Sequence, residues 1–216
     1  MRVVVWTLTG CIFGARAWRL AVRDVSSLRA RGATFAECHA TDAPITPFVS
    51  ALAGGGLWWA LSLRFDSDVA VVVLGLWSAA LLRLVSIDVD THVLPRRTTI
   101  VATVSTAAGL CGATVFGAGG DVTSMIWGGC IMWVVMRVLE FASRGDLGGG
   151  DVTLAPLLGL AAGWQSLDRV LTVIIVAFGL AGVVAVVLLA IGRVHRRSFL
   201  AFGPFLVVGG FVAVLR

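Results

Sequence analysis

The sequence contains no lysine and no tyrosine, and charge is scarce: 13% of its 216 residues are Asp, Glu, Lys or Arg. A water-soluble domain of this size covers its surface with about a quarter charged residues, so a soluble globule is excluded. Cysteine is sparse as well. Cys11, Cys38, Cys111 and Cys130 show no CxxC spacing, and three of them lie in apolar stretches, which argues against a disulfide framework and a zinc site. There is no GxSxG elbow, no HExxH, no phosphate-binding GxxxxGK[ST] and no Cys and His pair in a plausible common loop. The net charge of +5 does not point to nucleic acid, because the basic residues punctuate apolar runs in the manner of membrane loops.

What is present is apolar: 58% of the residues are hydrophobic, and 26 are glycine. A spanning helix needs roughly 20 apolar residues, fewer where flanking Arg side chains reach back to the interface. Eight runs qualify, at about 3–20, 45–63, 69–87, 98–120, 122–141, 152–167, 170–192 and 198–215. The expected fold is therefore an all-α polytopic membrane protein of about eight transmembrane helices; merging the fourth and fifth runs would give seven. The first run is the weakest, since Arg16 interrupts it. A signal-peptide reading of that run finds no small-residue cleavage site before the Arg cluster. No internal repeat or linker divides the chain, so residues 1–216 read as a single membrane domain, with 21–44 as a cytoplasmic loop within it.

Arginine placement sets an expected topology. Thirteen of the 17 Arg fall in the odd-numbered loops, against Arg64 and Arg169 in the even ones, with Arg2 and Arg216 at the two ends. Positive charge collects on the cytoplasmic side, so the odd loops are expected there. Of the 12 acidic residues, most have ordinary places in loops. Asp88, with Asp90 two residues on, stands at the cytoplasmic end of the third span, in LVSIDVDTHVLPRRTT. Asp151 stands at the start of the sixth, in RGDLGGGDVTLAPLLGLAAGW. The fourth and fifth spans form an out-and-back hairpin, which lets the two carboxylates meet on one face.

Each has an ordinary alternative. Asp151 is a good N-cap ahead of Val152, and Asp88 can be an interfacial Asp near a helix end marked by Pro95, Arg96 and Arg97. Gly148, Gly149 and Gly150 weigh against mere capping. Three consecutive glycines carry a large backbone entropy cost, and they permit close approach of another backbone. His92 reads as a loop histidine, since His39 and His195 lie in other loops and no ligand spacing appears; no metal and no cofactor are expected. Two carboxylates sharing a proton make a general acid and base able to hydrolyse a peptide bond. The competing classes are a small transporter or channel component using carboxylates for ions or protons, and a noncatalytic membrane subunit.

Three stretches carry a resemblance to the type IV prepilin peptidases, bacterial members of the GxGD intramembrane aspartyl proteases. IDVDTHVLP at 87–95 resembles the family's first aspartate motif. GGGDVTLAPLLGLAAGW at 148–164 resembles the GxGD motif with its Gly-Trp ending, and FGPFL at 202–206 resembles a C-terminal segment of the family. The resemblance implies catalytic roles for Asp88 and Asp151, with Asp90 as the fallback for the first, and substrate binding at Gly148, Gly149 and Gly150. It implies an inner-membrane peptidase that removes the leader of a prepilin or pseudopilin precursor at the cytoplasmic face; the oligomeric state stays open. Thr153, Arg96 and Ala201 depart from the family pattern, the first by removing a Lys that would favour ionised Asp151. Larger members add a methylating region with paired CxxC motifs. Here the first loop has only Cys38, so peptidase without N-methyltransferase activity is the expectation.

Overall fold

The structure, a computed structural model, describes residues 1–30, 47–91, 95–143, 148–191 and 202–216. Among these residues there are eight helices and no strand: α1 (Arg2–Ala30), α2 (Pro47–Arg64), α3 (Asp68–Thr91), α4 (Arg96–Val115), α5 (Val122–Ala142), α6 (Gly149–Gln165), α7 (Leu167–Ala190) and α8 (Gly203–Leu215). The all-helical expectation holds. Four helices are long and apolar enough to cross a bilayer: α3 as far as Asp88, α4, α5 and α7. The fourth and fifth segments are separate helices. Between them Gly117, Gly119 and Gly120 adopt φ of 75°, 78° and 78°, a left-handed conformation that only glycine adopts readily, so the helix ends there instead of continuing.

The first helix departs most from expectation. It does not stop near residue 20 at its Arg cluster but runs on to Ala30, about 43 Å in all, and so takes in the beginning of the expected 21–44 loop. Arg16, Arg19 and Arg23 are exposed on its surface, where long stems carry the charge outward without breaking the helix.

The chain forms two compact units, one built from Met1–Gly119 and the other from Gly120–Val214. In the first, α1 lies against α2 with almost no side chain between them. A Cβ on Gly10 would stand 2.5 Å from the Gly54 carbonyl oxygen, and one on Gly14 would collide with the Ser50 carbonyl. At that close approach the Ser50 hydroxyl donates to the Gly14 carbonyl at 2.8 Å. Trp58 fills the middle of the unit. Its indole N–H donates to the Gly75 carbonyl at 3.0 Å, and the Phe13 ring stacks on it at 5.5 Å. Arg2 donates to Asp68 at 2.6 Å, and Arg83 donates to Asp24 at 3.0 and 2.6 Å, so ion pairs fasten α1 to α3 at two levels.

In the second unit α5 and α6 use the same device. A Cβ on Gly163 would lie 2.5 Å from the Ser124 carbonyl oxygen and 2.9 Å from the Gly128 Cα. Helices in hydrocarbon associate by such close packing, because lipid tails are as apolar as the side chains. The start of α5 is capped by Asp121, whose carboxylate accepts from the N–H groups of Thr123 at 3.2 Å and Ser124 at 2.8 Å. Its own N–H donates to the Trp164 carbonyl at 2.9 Å. Gly209 of α8 approaches α7 closely, with a Cβ there only 2.6 Å from the Val173 carbonyl oxygen.

Two outcomes test this packing. Gly163→Ala should lower stability in detergent by about 1–3 kcal/mol through overpacking, whereas Gly112→Ala, with nothing within 4 Å of the new methyl, should be neutral or stabilising in the same thermal melt. The Ser124 hydroxyl and the N–H groups of Ser124 and Thr123 hold the Asp121 carboxyl below its ordinary range. A lowered folded pKa stabilises above the unfolded value and loses that contribution as pH falls through the folded value. Asp121→Ala should therefore lower the melting temperature at neutral pH, with the gap to wild type closing as pH drops below about 4.

Candidate active site

Asp88 sits in the last turn of α3, and its side chain is buried, with 7% of its surface exposed. The turn that carries it is held from α1. Arg83, five residues earlier, is clamped to Asp24, and Ile87 forms a buried apolar contact cluster with Ala21. Asp90 lies in the same helix, two residues beyond Asp88; its side chain, like His92, falls outside what the structure describes. Pro95 precedes α4, and Arg96 and Arg97 open it with exposed side chains.

Asp151 is buried as well, at 6% exposure. It does not cap α6. The helix starts three residues before Val152, with Gly148 in extended conformation (φ −63°, ψ 131°) at the N-cap, which places Asp151 in the first turn. Glycine is an accepted N-cap, and the run of three lets the chain turn into the helix earlier than the apolar pattern indicates. The Asp151 N–H donates to the Gly148 carbonyl at 3.0 Å, and the Thr153 hydroxyl donates to Gly150 at 2.8 Å. Thr153, where the related pattern has Lys, thus satisfies a carbonyl of the glycine turn.

The glycine turn is open to a neighbour. Gly148 and Gly149 are exposed, and the nearest atoms to a Cβ placed on them are Asp151 Oδ2 at 3.9 Å and Glu140 Oε1 at 3.5 Å. Glu140 accepts from Arg137 at 2.5 Å, so an ion pair at the end of α5 stands beside the turn. The i, i+3 spacing of Arg137 and Glu140 indicates only a local helix pair; its place beside Gly149 depends on how α5 packs on α6, which no local pattern reports. The α6 body behind Asp151 is buried along nearly its whole length, down to Trp164 at 1% exposure. Gly120 leaves room for that indole, since a Cβ there would collide with it. The Gly-Trp ending of the 148–164 stretch therefore anchors α6 against Gly120 and Asp121 at the start of α5. In the 202–206 stretch, the Phe202 ring lies 4.8 Å from that of Phe178 on α7, Pro204 stands in the first turn of α8, and Leu206 is fully buried.

Among the described residues the buried charged side chains are two, Asp88 in the first unit and Asp151 in the second. Burying a carboxylate in an apolar interior is costly, and carboxylates kept there mark functional positions in membrane proteins. Their helix positions are opposite in kind. Asp151 is at the positive pole of α6 and Asp88 near the negative pole of α3. No three His, Cys, Asp or Glu side chains among the described residues converge as a metal site would require; Cys38, His39 and His195 lie outside them.

A model of the type IV leader peptidase family matches residues 72–191, a span that contains both aspartates and the glycine turn. The chain is similar to the prepilin leader peptidase/N-methyltransferase of Burkholderia pseudomallei strain 1026b, 31% identical over 214 residues, covering 93% of this chain and 63% of the relative. The proteins of the same description from Pseudomonas putida and Stutzerimonas stutzeri are 28% and 27% identical, covering 70% and 69% of their own lengths. The chain thus spans a little under two thirds of the Burkholderia relative. No solved structure matches it. With the family match lying over four bilayer-length helices and both buried carboxylates, this multi-pass membrane protein belongs to the type IV leader peptidase family.

Proposed function

We propose that the chain is an aspartic endopeptidase that removes the leader from type IV prepilin-like precursors, with Asp88 and Asp151 sharing one proton as its catalytic pair. The observation that carries the reading is the burial of these two carboxylates and no other charged side chain among the described residues. Asp151, at the positive pole of α6, takes the part of the base and removes a proton from water as its oxygen attacks the scissile carbonyl carbon. Asp88 donates its proton to the carbonyl oxygen. Collapse of the tetrahedral intermediate then breaks the C–N bond, and a proton passes to the departing amine. Asp90 is the alternative first aspartate.

Gly148, Gly149 and Gly150 are proposed to let the extended precursor lie beside Asp151, since the turn has no side chains and Gly148 and Gly149 are exposed. The arginine distribution supports placing both aspartates at the cytoplasmic face of the bacterial inner membrane. The four cysteines, lacking CxxC pairs, support peptidase activity without N-methylation of the product. The precursor itself and the bilayer are the partners this reading needs.

Co-expression with a prepilin in membranes tests the pair. Asp88→Asn and Asp151→Asn should each slow leader removal by at least about a hundredfold, the usual contribution of a general acid or base. Asp90→Asn should cleave normally. Cleavage that survives Asp151→Asn would sink the mechanism, and a dead Asp90→Asn beside an active Asp88→Asn would move the first aspartate to residue 90. The mass of the released N-terminus should be that of an unmethylated amine; one added methyl group would contradict the activity assigned. Gly149→Ala, whose methyl makes only an ordinary contact with Glu140, should fold normally and raise KM more than it lowers kcat. An unchanged KM would remove the glycine turn from substrate binding.

A further inference from the structure

The exposed side of α1 carries a single stripe that changes character partway along. Val5, Leu8, Ile12, Arg16, Arg19 and Arg23 follow one another at steps of three or four residues, which places them on one helix face, and all six are exposed. The opposite face, with Gly10, Gly14, Ala17 and Ala21, packs inward against the first unit. The stripe therefore points away from the protein, apolar for its first three members and cationic for the last three. A cavity of about 290 Å³ opens at the cationic end, lined by Arg16, Arg19, Leu20 and Arg23.

Arg16 and Arg19 have no hydrogen bond or ion pair among the described residues, unlike Arg2, Arg83 and Arg137, which hold Asp68, Asp24 and Glu140. The three guanidinium-bearing positions are separated along the axis by about 4.5 and 6 Å, a spacing that brackets a phosphate group. Guanidinium forks bind phosphate in paired hydrogen bonds. A ligand that occupied the cavity while covering the stripe below it would need a phosphate joined to hydrocarbon. We propose that this face of α1 is a binding site for an anionic glycerophospholipid, its phosphate held by Arg16, Arg19 and Arg23 and its acyl chains lying along Ile12, Leu8 and Val5. The proposal does not depend on the peptidase reading.

The full chain, purified in mild detergent and exchanged into bilayers of equimolar phosphatidylcholine and phosphatidylglycerol, tests it by native mass spectrometry of the lipids that remain bound. Wild type should retain phosphatidylglycerol over phosphatidylcholine. The triple variant Arg16→Gln, Arg19→Gln, Arg23→Gln should lose that preference by a factor on the order of ten to a hundred, since each basic residue near an anionic surface contributes about fivefold. The Lys triple variant should keep part of it, retaining charge without the fork. The pair Arg96→Gln, Arg97→Gln, exposed at another helix start, should leave it near wild type. Equal losses from both sets would reduce the effect to general charge and overturn the site. Displacement of the retained lipid by inorganic phosphate alone would make the ligand a free anion instead. No lipid preference in wild type would mean that another class of partner, such as an acidic protein segment, covers the face. Helicity and thermal melting identify any variant that has failed to fold, and for such a variant the three single substitutions, whose losses should add, replace the triple one.

Discussion

Helices surrounded by hydrocarbon gain no hydrophobic advantage by touching each other, so their association depends on how closely their backbones can come. Both units of this protein answer that constraint with glycine. Gly10 and Gly14 meet Gly54 and Ser50 in the first; Gly128 meets Gly159 and Gly163 in the second. At each of these positions a Cβ would stand within about a bond length and a half of a neighbouring carbonyl or Cα, too near for any side chain. Everything else is hung on these contacts: Trp58 inside the first unit, the buried length of α6 inside the second, and through them the helix ends that bear Asp88 and Asp151.

The scarcity of charge takes on meaning against that packing. A carboxylate in such an interior must be held where its cost is offset, and both buried aspartates stand in terminal turns of helices. The surrounding charges are arranged to hold positions. Arg83 and Asp24 fix α1 against the turn before Asp88, and Arg137 with Glu140 stands beside the glycine turn before Asp151. The family match, residues 72–191, takes in both buried aspartates, Arg83 and the Arg137–Glu140 pair.

Much of the fold was legible in the sequence because bilayer length is a coarse and unforgiving ruler. Eight runs of apolar residues became eight helices among the described residues, with the ends of α5 nearly as expected. The ends that differed did so for local reasons. α1 continued through Arg16 because an arginine on an outward face costs a helix nothing, and the residue count of an apolar run does not know which face a residue occupies. α6 began at Gly149 rather than Val152 because glycine can occupy an N-cap and a first turn without any apolar signal. The N-cap alternative for Asp151 thereby falls, since Gly148 holds that position and Asp151 lies in the first turn. Its burial and that of Asp88 were beyond reach of the motifs, since burial is a property of packing. So was the neighbourhood of Glu140 and Gly149, which come from different helices.

If Asp88 and Asp151 share one proton, as proposed, they must come together in the membrane, and paired cysteine cross-linking there, with Cys11, Cys38, Cys111 and Cys130 replaced, tests this. A disulfide requires Cα atoms within about 7 Å, so the pair Asp88→Cys and Asp151→Cys reports proximity without relying on turnover. Rapid cross-linking of that pair, or of Asp90→Cys with Asp151→Cys if the first aspartate is residue 90, is expected. Failure of both pairs to cross-link in a folded, membrane-inserted protein would contradict it.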